Sequence, residues 1–132
     1  MAYPTRQSIT PTAFTSDTTS HNVAMPATVS AGDLLLCFFA NDSTDTQTTP
    51  SGWTKVTADP SVTNPYFNIY AKVAAGTEGG TTVDWVTAGA EQACAQVYRI
   101  SNWSGTIATG ISVAVTQGYS NASSVTPPAV TA

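Results

Sequence analysis

The chain reads as a single all-β domain, an antiparallel β-sandwich of immunoglobulin-like or jelly-roll type with about seven to eight strands. Three observations carry that expectation. Apolar residues recur with period two in short segments, turn-forming clusters fall every eight to twelve residues, and no stretch has a convincing amphipathic helical period. The 132 residues match one ordinary domain with enough buried surface for a real core. They divide into an expected amino-terminal arm or edge strand over 1–18 and the sandwich over 19–132.

The elements follow in order. Met1 to Thr18 is polar and carries Pro4 and Pro11, which suits an arm or an irregular edge strand. His21, Val23 and Met25 then alternate with small or polar residues up to Pro26. The turn Val29-Ser30-Ala31-Gly32-Asp33 launches Leu34 to Ala40, which is apolar on both faces and so belongs at the centre of a sheet, covered on both sides. Asn41 to Gly52 is a hydroxyl- and amide-rich loop ending in Pro50-Ser51-Gly52 before Trp53 to Val56. Tyr66 to Val73 is the next strand, and the turn Ala75 to Gly80 leads into a strand over Thr81–Val86. Gln92 to Ile100 is a further strand with small residues that permit close approach of two layers. A weaker strand is expected at Ile111 to Val115.

Composition narrows the function. Charged residues make up 9% of the chain, against roughly 25% in ordinary soluble domains, and roughly a quarter of all positions are Ser or Thr. A hydroxyl-rich, weakly charged coat offers little repulsion against self-association; equally, Thr is common in β-domains because it suits strands. The net charge is −4, and the four cations Arg6, Lys55, Lys72 and Arg99 are scattered, so nucleic acid is not an expected partner. The apolar run Leu34–Ala40 is too short to cross a bilayer, so no membrane is expected either. The opening residues lack a charged and then apolar leader, which gives the expectation of cytoplasmic synthesis. Cys37 and Cys94, both read as strand-centre residues, are then expected to be reduced and buried.

Groups able to do chemistry are sparse: one histidine, two glutamates and six aspartates. A hydrolytic triad has to use His21 with Asp17, and no nucleophile elbow accompanies them. A glycosidase pair has to use Glu78 and Glu91, both of which read as solvated turn residues. Zinc lacks a Cys/His cluster. Calcium is conceivable only at Asn41, Asp42 and Asp45, whose spacing is not that of an EF-hand. The glycosylation patterns at Asn41, Asn102 and Asn121 are what a Ser/Thr-rich chain produces by chance. No catalytic residue, metal or cofactor is therefore expected. The candidate ligand or partner contacts are Asn41, Asp42 and Asp45 on the polar loop with Trp53 at its rim, while the other tryptophans and tyrosines read mainly as core.

Four ordered segments carry a resemblance: Ala31-Gly32-Asp33-Leu34-Leu35-Leu36, Pro50-Ser51-Gly52-Trp53-Thr54, Tyr70-Ala71-Lys72-Val73-Ala74 with Gly76-Thr77-Glu78, and Ala95-Gln96-Val97-Tyr98-Arg99-Ile100. Together, over roughly Met25 to Trp103, they resemble a β-sandwich module of bacteriophage virion structural proteins of the decoration, head-fibre or tail-fibre type. The resemblance implies a virion protein that acts by assembly and not by catalysis. Its partners are then copies of itself, a trimer being the expected oligomer, and the major capsid or other virion proteins. A glycan is the alternative ligand, held in the manner of a carbohydrate-binding module. The end Thr126-Pro127-Pro128 to Ala132 departs from longer members, and the expectation there is an assembly element.

Overall fold

The computed structural model describes residues 3–57 and 65–111. Six strands and one short helix are present among them: β1 (Thr5–Ala24), β2 (Leu34–Asn41), β3 (Gln47–Thr48), β4 (Thr54–Lys55), β5 (Tyr66–Val73), β6 (Thr82–Ser101) and α1 (Ile107–Gly110). All pairings are antiparallel. The order is β1-β6-β2-β5-β4, with β3 on β6, and the sheet is not closed. No helix among the described residues is long and apolar enough to cross a membrane.

Two readings of the sequence change here. The segments Thr81–Val86 and Gln92–Ile100 are one strand, β6, of 20 residues, and the polar stretch up to Thr18 runs without a break into the His21–Met25 segment as β1, also 20 residues. Both strands pass through a bend. Between Phe14 and Ser20 on β1, and between Val86 and Ala93 on β6, the register jumps twice, so hydrogen bonding continues on both sides of an irregular corner. Periodicity is interrupted at such a corner, and two strands are read where there is one. The strand expected from Ile111 to Val115 lies, apart from Ile111, outside the described residues, as do Asn121 and the Pro127-Pro128 end.

On either side of the irregularity the strands have different neighbours. The first half of β1 pairs with the second half of β6, which also carries β2 and, beyond it, β5. The end of β1 pairs with the start of β6, which carries β3 on its other side. Side chains from both halves meet in one core of Val23, Leu35, Cys37, Phe39, Tyr70, Trp85, Ala95 and Val97 with Met25 and Trp53. Trp85 is its centre. Its ring stacks on Phe39 at 6.0 Å and meets the edges of Trp53 and Tyr70 at 5.1 and 5.7 Å. The small side chains Ala93 and Ala95 leave the room that an indole needs.

Above this apolar layer lies a buried amide network. Gln47 donates from Nε2 to Asn41 Oδ1 at 2.5 Å and to the Tyr66 carbonyl at 2.9 Å, and its Oε1 accepts from Tyr70 Oη at 2.9 Å and Asn68 Nδ2 at 3.3 Å. Thr57 closes it, donating to Asn68 Oδ1 and accepting from the Ile69 N–H. Every donor and acceptor of the Gln47 amide is occupied, so the network stabilises one arrangement of the loop instead of destabilising the core. The Asn41–Gly52 segment is therefore not a purely external loop: its first and central polar residues, Asn41 and Gln47, are interior.

Cys37 points into the core, but Cys94 is exposed, and both are free thiols. Strand alternation explains the correction for Cys94: Ala93 and Ala95 face inward, which turns Cys94 to the other side.

Candidate functional site

The segments Ala31–Leu36, Pro50–Thr54, Tyr70–Glu78 and Ala95–Ile100 meet as two ionic ties and three glycine turns. In the first, Gly32 takes φ +85° and the Asp33 carboxylate accepts the Ser30 N–H at 2.8 Å, so the chain enters β2 through a side-chain-closed turn. Asp33 Oδ2 also accepts from Arg99 Nε at 2.6 Å, while the other two guanidinium nitrogens donate to Thr28 Oγ1 and Ser30 Oγ. The planar fork thus holds the β2 entry to the end of β6.

The second tie is Glu78. Its carboxylate accepts the main-chain N–H groups of Ala75, Gly76 and Thr77 at 3.0, 2.9 and 3.0 Å and pairs with Lys72 Nζ at 3.0 Å. Burial by itself raises the carboxyl, but the N–H of Ala75 and the Lys72 ammonium outweigh it and hold it down at about 2. Glu78, read from the sequence as solvated, is a buried residue that closes its own turn. The Pro50-Ser51-Gly52 turn, closed by the Trp53 N–H on the Pro50 carbonyl at 3.1 Å, sits under the Lys72 side chain and drops Trp53 onto Trp85.

The candidate contact residues divide by depth. Asn41 is 1% exposed, with its amide nitrogen on the Asp45 carbonyl at 3.2 Å, and Trp53 is 7% exposed within the core. Asp42 is exposed and Asp45 half-buried. Asp42 is tied to β6, its Oδ1 accepting the Gln92 N–H at 3.1 Å. The fold brings Glu91 to this pair: a Cβ on Gly89 would run into the carboxylates of Asp45 and Glu91. The Ser43 hydroxyl lowers Glu91, but its hydrogen bonds with Asp45 and Asp42 and the Asp45 charge raise it above the usual carboxylate range. No sequence signal links Glu91 to residues nearly fifty positions earlier. Only the pairing of β2 with β6 does. Among the described residues, no grouping of three or more His, Cys, Asp or Glu has the geometry to hold a metal ion.

His21 is fully buried, with both ring nitrogens facing main-chain carbonyls and its ring wedged between Phe14 and Phe39. Asp17, its supposed partner in a triad, is exposed. Glu78 lies in the turn before β6 and Glu91 at that strand's mid-point bend, each with its own partners.

The most developed surface feature is the outer face of the β1-β6-β2-β5 sheet. Register places Ala13, Cys94, Ala40 and Phe67 in one row across the four strands, followed by Pro11, Gln96, Phe38 and Ile69. Phe38 packs on Tyr98 at 5.1 Å and lies 6.2 Å from Phe67, leaving these rings half-buried. The small side chains between the aromatic and β1 walls leave two adjoining shallow cavities of about 550 and 360 Å³, both floored by Ala13, Ala40 and Cys94. The larger contains no charged residue, and Asp42 marks one end of the smaller. Apolarity on both faces of Leu34–Ala40 was the sequence signal for this surface; its groove shape depends on which neighbours supply alanine and which phenylalanine.

No protein-family model matches the chain, and neither a curated protein nor a solved structure shows significant similarity to it.

Proposed function

We propose that this chain is a β-sandwich domain of a bacteriophage virion, a capsid decoration or fibre module that works by protein–protein assembly and not by catalysis. The observation that carries the reading is the uncharged groove of Ala13, Ala40, Cys94 and Phe67 running across four strands, on a chain with few charges. A broad apolar face is a contact surface in search of a complementary one, and low charge keeps repulsion between copies small. The four resemblance segments supply the remaining support, since their charged and glycine residues act in the fold: Asp33 with Arg99, Glu78 with Lys72, and the turn glycines Gly32, Gly52 and Gly76. A role in assembly asks only for shape from such residues. The partners in this reading are further copies of the chain, as a trimer, and the capsid shell of the virion.

Light scattering after size-exclusion chromatography, followed by co-sedimentation with capsids lacking the protein, tests it. A trimer, or saturable capsid binding abolished by Ala40→Glu, is the expected result. A monomer that ignores capsids overturns it.

A second reading rests on the half-buried rings Phe38, Phe67 and Tyr98 beside Gln96, an arrangement on which a sugar ring could stack. Binding on a glycan array that is lost in Phe38→Ala supports that reading; silence on the array removes it.

A further inference from the structure

The outer face of the β1-β6-β2-β5 sheet is open at one end and covered at the other. Beyond the two groove rows, register sets Ile9, Tyr98, Leu36 and Ala71 in a third row and Arg6, Ile100, Leu34 and Val73 in a fourth. On this face Leu34, Ile69 and Ala71 are buried, at 3, 8 and 0% exposure, yet none of them belongs to the central cluster around Trp85. Ala13 and Cys94, at the groove end, are exposed.

The path of the chain after β6 leads onto this face. It leaves the strand at Ser101, turns at Asn102 with φ 56° and at Gly105 with φ 125°, and sets α1 against β5, on the far side of β2. The inner side of β5 is taken by Asn68 and Tyr70 in the interior and its edge by β4 and Val56, so α1 approaches from the outer side. Ile111 then leaves α1 extended, with φ −124° and ψ 119°. Residues 112–132 contain no Asp, Glu, Lys, Arg or His, and they open with Val113 and Val115 alternating with small side chains. An uncharged segment that enters an uncharged groove strips no charge of its water. The rows of Val73 and Phe67 lie about 20 Å apart along β5, a distance that about six extended residues span.

We propose that residues 112–132 are the groove's own occupant, a strap that folds back over the outer face and lays its apolar side chains between the rings of Phe38 and Phe67 and the β1 wall of Pro11 and Ala13. Tethered at the same face, the segment meets the groove at an effective concentration on the order of millimolar, which favours the chain's own strap over that of a second copy. The strap shuts the apolar surface of the free chain, and a partner on that surface has to displace it. Held by apolar contact alone, it opens readily, so Cys94 beneath it still reacts while Cys37 in the core does not. Docking of the strap depends on the groove alone; its effect on partners rests on the assembly reading.

Two measurements on the full chain test the strap. In Cys94→Ala with Tyr119→Cys, a nitroxide attached at residue 119 is expected to erase the amide signals of Ala13, Ala40 and Gln96 from the ¹H–¹⁵N spectrum, and a further Ala40→Glu substitution is expected to restore those of Ala13 and Gln96. Weak broadening spread evenly over the surface overturns the proposal. So does loss of the groove signals in a refolded mixture of nitroxide-bearing chains without ¹⁵N and ¹⁵N chains without nitroxide, because the occupant is then a neighbour's segment. In the second measurement, Val113→Asp with Val115→Asp is expected to raise the rate of Cys94 modification about tenfold over the wild type. An unchanged rate overturns the strap. Neither readout involves capsids, so failure of the strap and failure of the virion reading are told apart.

Discussion

Replacing Glu78 with glutamine probes how much of the fold hangs on one carboxylate. In the wild type the side chain collects three main-chain N–H groups, at 3.0, 2.9 and 3.0 Å, and the Lys72 ammonium at 3.0 Å. Its pKa falls from an ordinary 4.5 to about 2, a difference of about 2.5 pH units, which at roughly 1.4 kcal/mol per unit sets a ceiling of about 3 kcal/mol. Lys72 remains partly open to solvent, which screens its share, and the glutamine carbonyl retains some of the N–H contacts. The expected loss in Glu78→Gln is therefore about 2 kcal/mol at pH 7.

A group whose folded-state value is depressed stabilises the fold above its unfolded value and ceases to do so as pH falls through the folded one. The gap between wild type and variant is thus complete above about pH 5 and closes between about pH 4.5 and about pH 2. Urea unfolding followed by tryptophan fluorescence, run at pH steps through this range, measures the gap directly. A gap below about 0.5 kcal/mol at pH 7, or one that stays constant down to about pH 3, would show that the Glu78 carboxylate does not hold this turn.

Three further outcomes follow from the same geometry. Gly76→Ala should lower stability by about 2 kcal/mol in a thermal melt, because φ is +91° and the new Cβ would stand 2.9 Å from the Ala31 main-chain nitrogen. Thiol titration of the native protein should register one fast-reacting cysteine, Cys94. Cys37 should react only on unfolding, since burial excludes reagent and pushes its thiol well above the usual range. Arg99→Lys should cost about 1–2 kcal/mol in denaturant unfolding despite preserving charge, because an ammonium cannot reach Asp33, Thr28 and Ser30 together as the guanidinium fork does.

The local chemistry of this chain was legible in its residues. A run apolar on both faces identified β2 and period-two alternation identified β5, and Ala31-Gly32-Asp33 and Pro50-Ser51-Gly52 marked turns whose glycines do take positive φ. These features depend on neighbours within a few positions, where backbone sterics and side-chain reach act directly. Trp85 could be read as core for the same reason.

Properties that arise between distant segments needed the tertiary structure. The bulged corner made one strand out of two sequence segments in both β1 and β6, because an irregular register leaves no periodic trace. Which face of β6 became interior decided that Cys94 would be exposed. Glu78 reads as an ordinary turn glutamate until Lys72 and three N–H groups converge on it, and Asn41 and Gln47 read as loop surface until Tyr66, Asn68 and Tyr70 surround them. A polar side chain is surface or interior according to whether partners are present to replace water, and those partners lie on other strands. Composition and local pattern set the β character, the main turns and the scarcity of charge; register and the packing of distant strands decided which polar groups were buried and where the outer groove formed.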